Sequence, residues 1–312
     1  MLLLPKSLNI AIIGSGFAGL SLAWCLHKKR GCRITLFDKR GFTGGASRVA
    51  AGLVHPYSSK TITLAPYGEQ AYSEAVSLFA EASAFQEDDF IIHRGMVRLT
   101  SDDKALLCSY HDDCPPQPGI FLEKALTIDT NLYLNALIKG LYGVTFVQES
   151  VSSLDDLKDF DAIVLCSGYE TLGFKEAQNL PFNYLKGQGL EFVLPKNMKS
   201  LTHAISSKIY LTMMKNGNLF AGATFERGLS DPEPDEKCAK EKIIPELIEL
   251  FPQFNGIEPV SIRSGVRLTT KGYFPLTEKI GEKLWVFSGL GSKGLLYHAL
   301  LGKQLASSIT SI

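Results

Sequence analysis

Three glycines near the N-terminus, Gly14, Gly16 and Gly19, are spaced as G-x-G-x-x-G and follow an apolar segment at residues 9–13. In this pattern the first glycine permits a tight turn, the second lets a phosphate approach the backbone, and the third lets a helix pack closely on a strand. The N-terminus of the following helix offers free N–H groups and a positive dipole end to an anion. The spacing therefore predicts a phosphate-binding turn between a strand and a helix.

An acid completes the pattern, because residues 33–37 form a second strand-like segment that ends at Asp38. A carboxylate at this place accepts hydrogen bonds from the ribose hydroxyls of a bound dinucleotide. The strand, the glycines, the helix and the acid occur in the order of a dinucleotide-binding unit. We therefore predict that the chain binds a dinucleotide; a glycine turn in an ordinary α/β protein is the alternative.

The elements that must position these residues alternate along the chain between helical and extended patterns. Apolar residues recur at helical spacing in residues 20–30, 66–84, 129–141, 236–250 and 295–308. Strand-like patterns occupy residues 144–148, 161–168, 189–194, 209–214, 218–224 and 283–288.

Three further segments lack a long regular pattern. Residues 90–100 predict a hairpin that turns near Arg94 and Gly95. The proline-rich residues 109–119 predict a loop, and residues 41–65 predict a long extended connection that serves a function.

Together these elements predict an α/β fold, which is α+β when the whole chain is considered. It contains a discontinuous Rossmann-type domain built on a parallel sheet. Mainly antiparallel material is inserted into this domain twice. The dinucleotide-binding domain is predicted at residues 1–84, 126–182 and 259–312, and the inserted substrate domain at residues 85–125 and 183–258.

The composition excludes several other classes of protein. The 312 residues carry no net charge, so the whole molecule has no long-range attraction for nucleic acid or an anionic membrane. The six cysteines form neither a C-x-x-C motif nor a metal-ligand spacing, so we expect no metal and a reducing compartment. No apolar run is long enough to span a membrane, and residues 1–6 are too short for a signal sequence. A soluble cytoplasmic protein is expected.

Four further passages resemble the D-amino-acid oxidase-like family of FAD-dependent oxidoreductases, which includes glycine oxidase and sarcosine oxidase. The passages are the small-residue loop at 44–57, the K-G-Q strand at 186–188, the G-A-T-F-E turn at 222–226, and the ending with Gly265-Val266-Arg267, Phe274-Pro275 and the glycine turn at 289–294. The second passage departs from the family pattern, which has R-G-Q. The resemblance covers nearly the whole chain and implies an FAD-binding domain. No cysteine occupies a position that suggests covalent attachment of a flavin, so we expect FAD to be bound without a covalent link.

The resemblance implies that FAD contacts both glycine turns, the acid, the small-residue loop and the segments between them. These cofactor-binding residues are Gly14, Ser15, Gly16, Phe17, Ala18, Gly19, Asp38, Lys39, Thr43, Ala46, Ser47, Arg48, Ala51, Gly52, Leu53, Val151, Ser167, Gly168, Gly265, Arg267, Gly289, Gly291, Ser292, Lys293, Gly294 and Leu295.

The same resemblance implies catalytic roles for Arg267 and Lys293. Arg267 would hold a substrate carboxylate, which a planar guanidinium engages through two hydrogen bonds; a structural ion pair is the alternative. Lys293 would hold a carboxylate or face solvent. His55, Tyr57 and Tyr273 are implied substrate contacts, and the residues left undecided between pocket and core are Tyr210, Tyr273, Tyr297 and His298.

The chemistry implied by the resemblance is hydride transfer from the carbon of an amine or amino acid to flavin N5. The imine is then hydrolysed, and oxygen is the expected electron acceptor. The loop ending in G-L-V-H-P-Y and the turn G-L-G-S-K-G look most similar to the FAD domain of the bifunctional enzymes that make 5-methylaminomethyl-2-thiouridine in tRNA.

Several alternatives stay open at this point. The first is oxidative trimming of carboxymethylaminomethyl-uridine in tRNA, for which the zero net charge is unfavourable and the chain has no room for the accompanying methyltransferase domain. A dehydrogenase, a non-catalytic flavoprotein and an NAD-binding protein are the others. The sequence leaves the amine, the electron acceptor and the oligomeric state undetermined.

Overall fold

The computed structural model describes residues 7–41, 44–58, 62–100, 106–108 and 117–311. The helices are α1 (Phe17–His27), α2 (Gly68–Ser83), α3 (Thr130–Gly140), α4 (Glu236–Leu250) and α5 (Gly294–Thr310). The strands are β1 (Leu8–Ile13), β2 (Cys32–Phe37), β3 (Leu53–Val54), β4 (Ile91–Leu99), β5 (Leu106–Cys108), β6 (Gln117–Ile128), β7 (Thr145–Val147), β8 (Ala162–Leu165), β9 (Phe182–Phe192), β10 (Ala204–Ser206), β11 (Tyr210–Met213), β12 (Leu219–Gly222), β13 (Glu226–Arg227), β14 (Ser261–Thr270), β15 (Leu276–Lys279) and β16 (Leu284–Ser288).

The first sheet has the strand order β15-β16-β8-β1-β2-β7 and is parallel except for the edge strand β15. Its central strand β1 is apolar from Ile10 to Ile13, where both of its faces are buried. Ile10 and Ile12 pack in a core with α1, α2, α3 and α5, whereas Ala11 and Ile13 face a second core on the other side. This sheet therefore places the ends of β1, β2, β8 and β16 at one common edge.

The second sheet follows the path β13-β9-β12-β11-β10-β4-β6-β3, with β14 paired to β9 and β5 paired to β6. All of its pairs are antiparallel except β10 with β4. Helix α4 covers one face through Ile243 and Leu247. The helix begins where the Asp235 side chain accepts a hydrogen bond from the Cys238 backbone N–H at 3.0 Å.

These two sheets confirm the predicted α/β fold with a parallel sheet and an antiparallel-rich second sheet. Each of the five predicted helices is present, with bounds that differ from the predicted ones by a few residues. In the long connection at 41–65, the described residues contain only the two-residue strand β3. Two strands from ranges assigned to the dinucleotide-binding domain, β3 and β14, pair within the second sheet. The domain boundaries stay a prediction.

The predicted hairpin at 90–100 is wrong, because this segment is the single strand β4 paired along its length with β6. Gly95, with φ +81°, lies where the pairing register shifts between Arg94 and Met96. The left-handed glycine is therefore accommodated by a bulge and does not reverse the chain.

The predicted loop at 109–119 is only partly described. Residues 109–116 lie outside the described residues, and residues 117–119 belong to strand β6, which contradicts their assignment to the loop. Within the described part of the chain, no helix combines the length and apolarity needed to cross a membrane.

Candidate functional site

A cavity of about 1210 Å³ lies at the common edge of the first sheet and continues along the second sheet. The segments after β1, β2, β8 and β16 line one part of it, and β9, β12, β13 and β14 contribute to the other. The carboxyl ends of parallel strands are where ligands of such sheets bind. The cavity is therefore the candidate site.

The first glycine turn fits closely against neighbouring backbone. Gly14 has φ +108°, and a Cβ atom on it would lie 2.4 Å from the Cys166 carbonyl oxygen. A Cβ on Gly19 would lie 1.8 Å from the Gly14 carbonyl oxygen, so α1 can approach β1 only without a side chain there. The predicted packing roles of the two glycines follow from these distances.

The predicted acid lies directly beside this turn. The Ser15 backbone N–H and hydroxyl both donate to Asp38 Oδ2, at 2.9 and 2.7 Å. The Arg40 backbone N–H donates to Asp38 Oδ1 at 2.9 Å, which fixes the carboxylate at the end of β2. Ser47 Oγ accepts a hydrogen bond from the Phe17 N–H at 3.1 Å, so the small-residue loop meets the start of α1.

Two helices begin at the cavity with N-cap residues whose side chains accept no hydrogen bond from the helix. The N-cap residues are Gly16 for α1 and Lys293 for α5, and both line the cavity. Neither helix has an acid in its first turn. The N-terminus of a helix offers N–H groups and a positive dipole end to anions, so this part of the cavity suits the pyrophosphate of FAD and the negative charge of a reduced flavin.

The small-residue loop passes against strand β14. A Cβ on Gly265 would lie 2.8 Å from Val49 Cγ2 and 3.2 Å from Ala46 Cα. Glycine at position 265 therefore permits loop and strand to approach each other beside the cavity. The donors and the glycine-lined surfaces together fit the shape and charge of a dinucleotide cofactor.

Arg267 lies on β14 in the second part of the cavity. Its guanidinium carbon is 5.3 Å from the centre of the Phe225 ring. Its Nη2 atom is buried and has no hydrogen-bond partner among the described residues. Burial lowers the pKa of Arg267 to about 10, which leaves the guanidinium charged at neutral pH. An unpartnered buried donor is costly unless a ligand satisfies it.

Lys293 and His55 lie near a further cation, Arg98. Lys293 Nζ donates to the Tyr57 carbonyl oxygen at 2.6 Å, and burial, assisted by Arg98, lowers the pKa of Lys293 to about 8. Burial, with Lys293 and Arg98, lowers the pKa of His55 to about 4. At neutral pH His55 is therefore uncharged, and its Nδ1 accepts the Tyr57 N–H at 3.2 Å.

The undecided aromatic residues separate into two groups. Tyr210, Tyr273 and Tyr297 line the cavity. The Tyr297 hydroxyl donates to the Pro66 carbonyl oxygen at 2.9 Å, while Tyr273 is 49% exposed. His298 is fully buried, with Nε2 2.6 Å from the Tyr133 hydroxyl, and belongs to the core.

Most predicted site residues line the cavity. Gly19, Arg48 and Tyr57 do not, and Thr43 lies outside the described residues. The structure places Arg48 against α3, where its Nη1 donates to Asn135 Oδ1 at 2.7 Å. The predicted residues that line the cavity are Gly14, Ser15, Gly16, Phe17, Ala18, Asp38, Lys39, Ala46, Ser47, Ala51, Gly52, Leu53, His55, Val151, Ser167, Gly168, Gly265, Arg267, Tyr273, Gly289, Gly291, Ser292, Lys293, Gly294 and Leu295.

Sequence reasoning missed Arg98, Phe225 and Arg227, which also line the cavity. The sequence contained a signal for two of them. Phe225 lies in the G-A-T-F-E turn, and Arg227 lies two residues after it, the spacing at which residues of a strand point to the same face. Arg263 also lines the cavity and forms an ion pair with Glu191.

Comparison with known proteins identifies the fold and family. The family described as FAD dependent oxidoreductase (DAO) matches residues 9–308. The tRNA 5-methylaminomethyl-2-thiouridine biosynthesis bifunctional protein MnmC of Idiomarina loihiensis is 24% identical over 97% of this chain. The alignment covers 55% of that relative, so the chain spans about half the length of the curated relatives it matches.

Solved structures share the same fold. Glycine oxidase from Geobacillus kaustophilus has a TM-score of 0.80 at 19% identity, covering 97% of this chain and 94% of that one. L-proline dehydrogenase from P. horikoshii has a TM-score of 0.81 at 16% identity, covering 99% and 94%. Because the family match extends over nearly the whole chain and includes both glycine turns, this protein belongs to the DAO family of FAD-dependent oxidoreductases.

Proposed function

We propose that the protein oxidises the C–N bond of an amine or amino acid that carries a carboxylate. The observation that carries this proposal is Arg267, which lines the cavity of the cofactor turns and forms no ion pair with a carboxylate among the described residues. Its Nη2 atom is buried without a partner among the described residues. A carboxylate accepts two parallel hydrogen bonds from a guanidinium, which orients the substrate.

When bound, FAD would supply the electron-accepting chemistry, as the acceptor at flavin N5 of a hydride from the substrate carbon, and water would hydrolyse the resulting imine. The residues that would hold FAD are those of the two glycine turns, Asp38 and the small-residue loop. We propose that the cofactor is bound without a covalent link.

The charges around the cavity assist the same reaction. Hydride removal requires a neutral substrate amine, and nearby positive charge lowers the pKa of an ammonium group. Arg267, Arg98 and Lys293 all line the cavity and provide that charge. His55 stays neutral at pH 7 and adds no charge; because its Nδ1 accepts the Tyr57 N–H, its Nε2–H can donate a hydrogen bond to the substrate.

A second candidate function is oxidation of a carboxymethylamino group on a tRNA uridine. It is supported by the name of the Idiomarina relative, and the exposed Phe225 ring at the cavity offers a surface on which a base can stack. The zero net charge of the whole chain favours the free amino acid. Both candidates use the carboxylate contact at Arg267.

Anaerobic spectroscopy of the FAD-loaded protein tests the proposal. The flavin absorbance is recorded after addition of glycine, sarcosine, L-proline, or tRNA with and without the carboxymethylaminomethyl group. Bleaching by a small amine supports the first function, and bleaching only by the modified tRNA supports the second. The rate at which air restores the absorbance then distinguishes an oxidase from a dehydrogenase. A protein that cannot bind FAD would contradict both functions.

A further inference from the structure

Two arginines from different strands lie in one row across the second sheet. Leu185 on β9 pairs with Arg227 on β13 and with Arg267 on β14. Directly paired residues point to the same face of a sheet, so both guanidinium groups project from the face that carries Leu185. Both arginines line the cavity. Because β9 lies between their two strands, their Cα atoms are separated by two strand spacings, about 10 Å.

An aromatic side chain accompanies each of these arginines. The Phe225 ring lies 5.3 Å from the Arg267 guanidinium carbon, and Arg227 Nη2 donates to the Tyr273 hydroxyl at 3.2 Å. Tyr273 has φ +61°, a left-handed conformation that is unfavourable for a residue with a side chain. Such conformations concentrate at ligand-binding positions, where the surrounding structure maintains them.

The acidic residues that line the cavity lie at the end away from Arg227 and Arg267. Asp38 and Glu149 follow strands β2 and β7, and Glu170 follows β8 and pairs with Lys39 and Arg40. Among the described residues, neither Arg227 nor Arg267 forms an ion pair with a carboxylate. The substrate end of the cavity therefore presents two guanidinium groups that no described acid neutralises.

We propose that the substrate carries two anionic groups, a carboxylate held by Arg267 and a second anion held by Arg227. The substrate class is a secondary amine with a carboxylate near the reacting carbon and a further carboxylate or phosphate on its other arm. This inference rests on the proposed function, because it takes Arg267 as the carboxylate site.

The two sites differ in their surroundings. Arg267 is partly buried and has a shielded donor, whereas Arg227 is exposed near Tyr273. The carboxylate next to the reacting carbon belongs at Arg267, where orientation matters most. The second anion at Arg227 selects among substrates whose reacting ends are identical. Tyr273 acts here as a positioning residue for Arg227.

Ligand titrations of the FAD-loaded protein test this inference without turnover. The flavin difference spectrum is recorded with acetate, with glutarate, and with 4-phosphonobutyrate, which has the same number of methylene groups as glutarate. We expect the two dianions to bind at least tenfold more tightly than acetate. The tighter of glutarate and 4-phosphonobutyrate identifies the second group as a carboxylate or a phosphate.

Two variants and a control assign the sites. R227Q is expected to bring the dianion Kd to that of acetate while leaving the acetate Kd within twofold of wild type. K271Q removes one charge from the nearby exposed turn and is expected to keep the dianion preference. Y273F is expected to reduce the preference about threefold, and thermal unfolding with bound FAD confirms that each variant is folded.

The outcomes separate this inference from the proposed function. Equal binding of dianions and acetate by the wild type overturns the inference, as does an unchanged preference in R227Q or an equal loss in K271Q. R267Q is expected to weaken acetate binding at least tenfold. Unchanged acetate binding in R267Q, or no binding of any of the three ligands, overturns the carboxylate site and the inference with it.

Discussion

The Phe225 ring covers the guanidinium of Arg267, with 5.3 Å between the guanidinium carbon and the ring centre, although 62% of Phe225 is exposed. A ring in this position screens the cation from water on one side and restricts its orientation. The exposed aromatic residue therefore has a function at the cavity that its exposure alone would not indicate.

We predict that replacing Phe225 by leucine weakens substrate binding. A cation–π contact contributes about 0.5–2 kcal/mol, so KM for a carboxylated amine should rise roughly 2- to 30-fold with kcat little changed. Steady-state kinetics measure KM and kcat separately and so check this prediction. Phe225→Trp retains a ring and should keep KM near wild type, and Leu229→Ala, which removes an exposed apolar side chain outside the cavity lining, should change neither constant.

We predict that Gly14→Ala prevents FAD binding, because its Cβ would lie 2.4 Å from the Cys166 carbonyl oxygen. Gly143→Ala is the matched control, since Gly143 also has a positive φ but has no atom within 4 Å of an added Cβ. The left-handed conformation alone costs about 1–2 kcal/mol in either variant. The bound FAD per protein is measured from absorbance; similar loss in both variants would refute the steric explanation.

We predict that the affinity for a carboxylate falls as the pH rises through about 8. Burial lowers the pKa of Lys293 to about 8, so Nζ loses its positive charge there. The Kd of acetate between pH 6 and 10 measures the effect. Lys293→Arg keeps its charge through this range and should remove the decline near pH 8. An unchanged pH profile in that variant would show that Lys293 does not contribute.

We predict that protonation of the buried His298 contributes to acid destabilisation. Burial lowers its pKa from 6.5 to about 4, so the unfolded chain binds the proton first as the pH falls. The full stability is present above pH 6.5 and is lost progressively toward pH 4, by up to roughly 3 kcal/mol. Urea unfolding across this range measures the loss.

His298→Gln is the matched variant for this prediction. Glutamine does not titrate and can still hydrogen-bond the Tyr133 hydroxyl, so the dependence of the unfolding free energy on pH should become shallower. A slope identical to wild type would assign the acid sensitivity to other groups. His93, whose pKa burial also lowers to about 4, is the first of these.

The cofactor end of the site was predictable from the sequence because its determinants are local. The turn from Gly14 to Gly19 and the acid Asp38 belong to consecutive elements, and their spacing reflects the steric limits found in the structure. The same locality explains why the helices and the buried strand β8 were predicted.

The substrate end could not be predicted in the same way because it depends on distant pairing. Arg227 and Arg267 meet only through the register of β13 and β14 on β9, which the spacing of either residue does not determine. The hairpin predicted near Gly95 was wrong for a related reason, because a glycine between two apolar runs indicates a turn or a bulge equally well. The partner strand β6 decides between them.

Arg267 is central to this account, and one comparison tests it most directly. The rate of anaerobic flavin reduction is measured for wild type, R267K and R267Q, using the small amine that reduces the flavin fastest and its carboxamide. We expect wild type to prefer the carboxylate over the carboxamide by at least 100-fold, R267K to retain part of this preference, and R267Q to lose it. A wild-type preference that persists in R267Q would contradict the assignment of Arg267 as the carboxylate site.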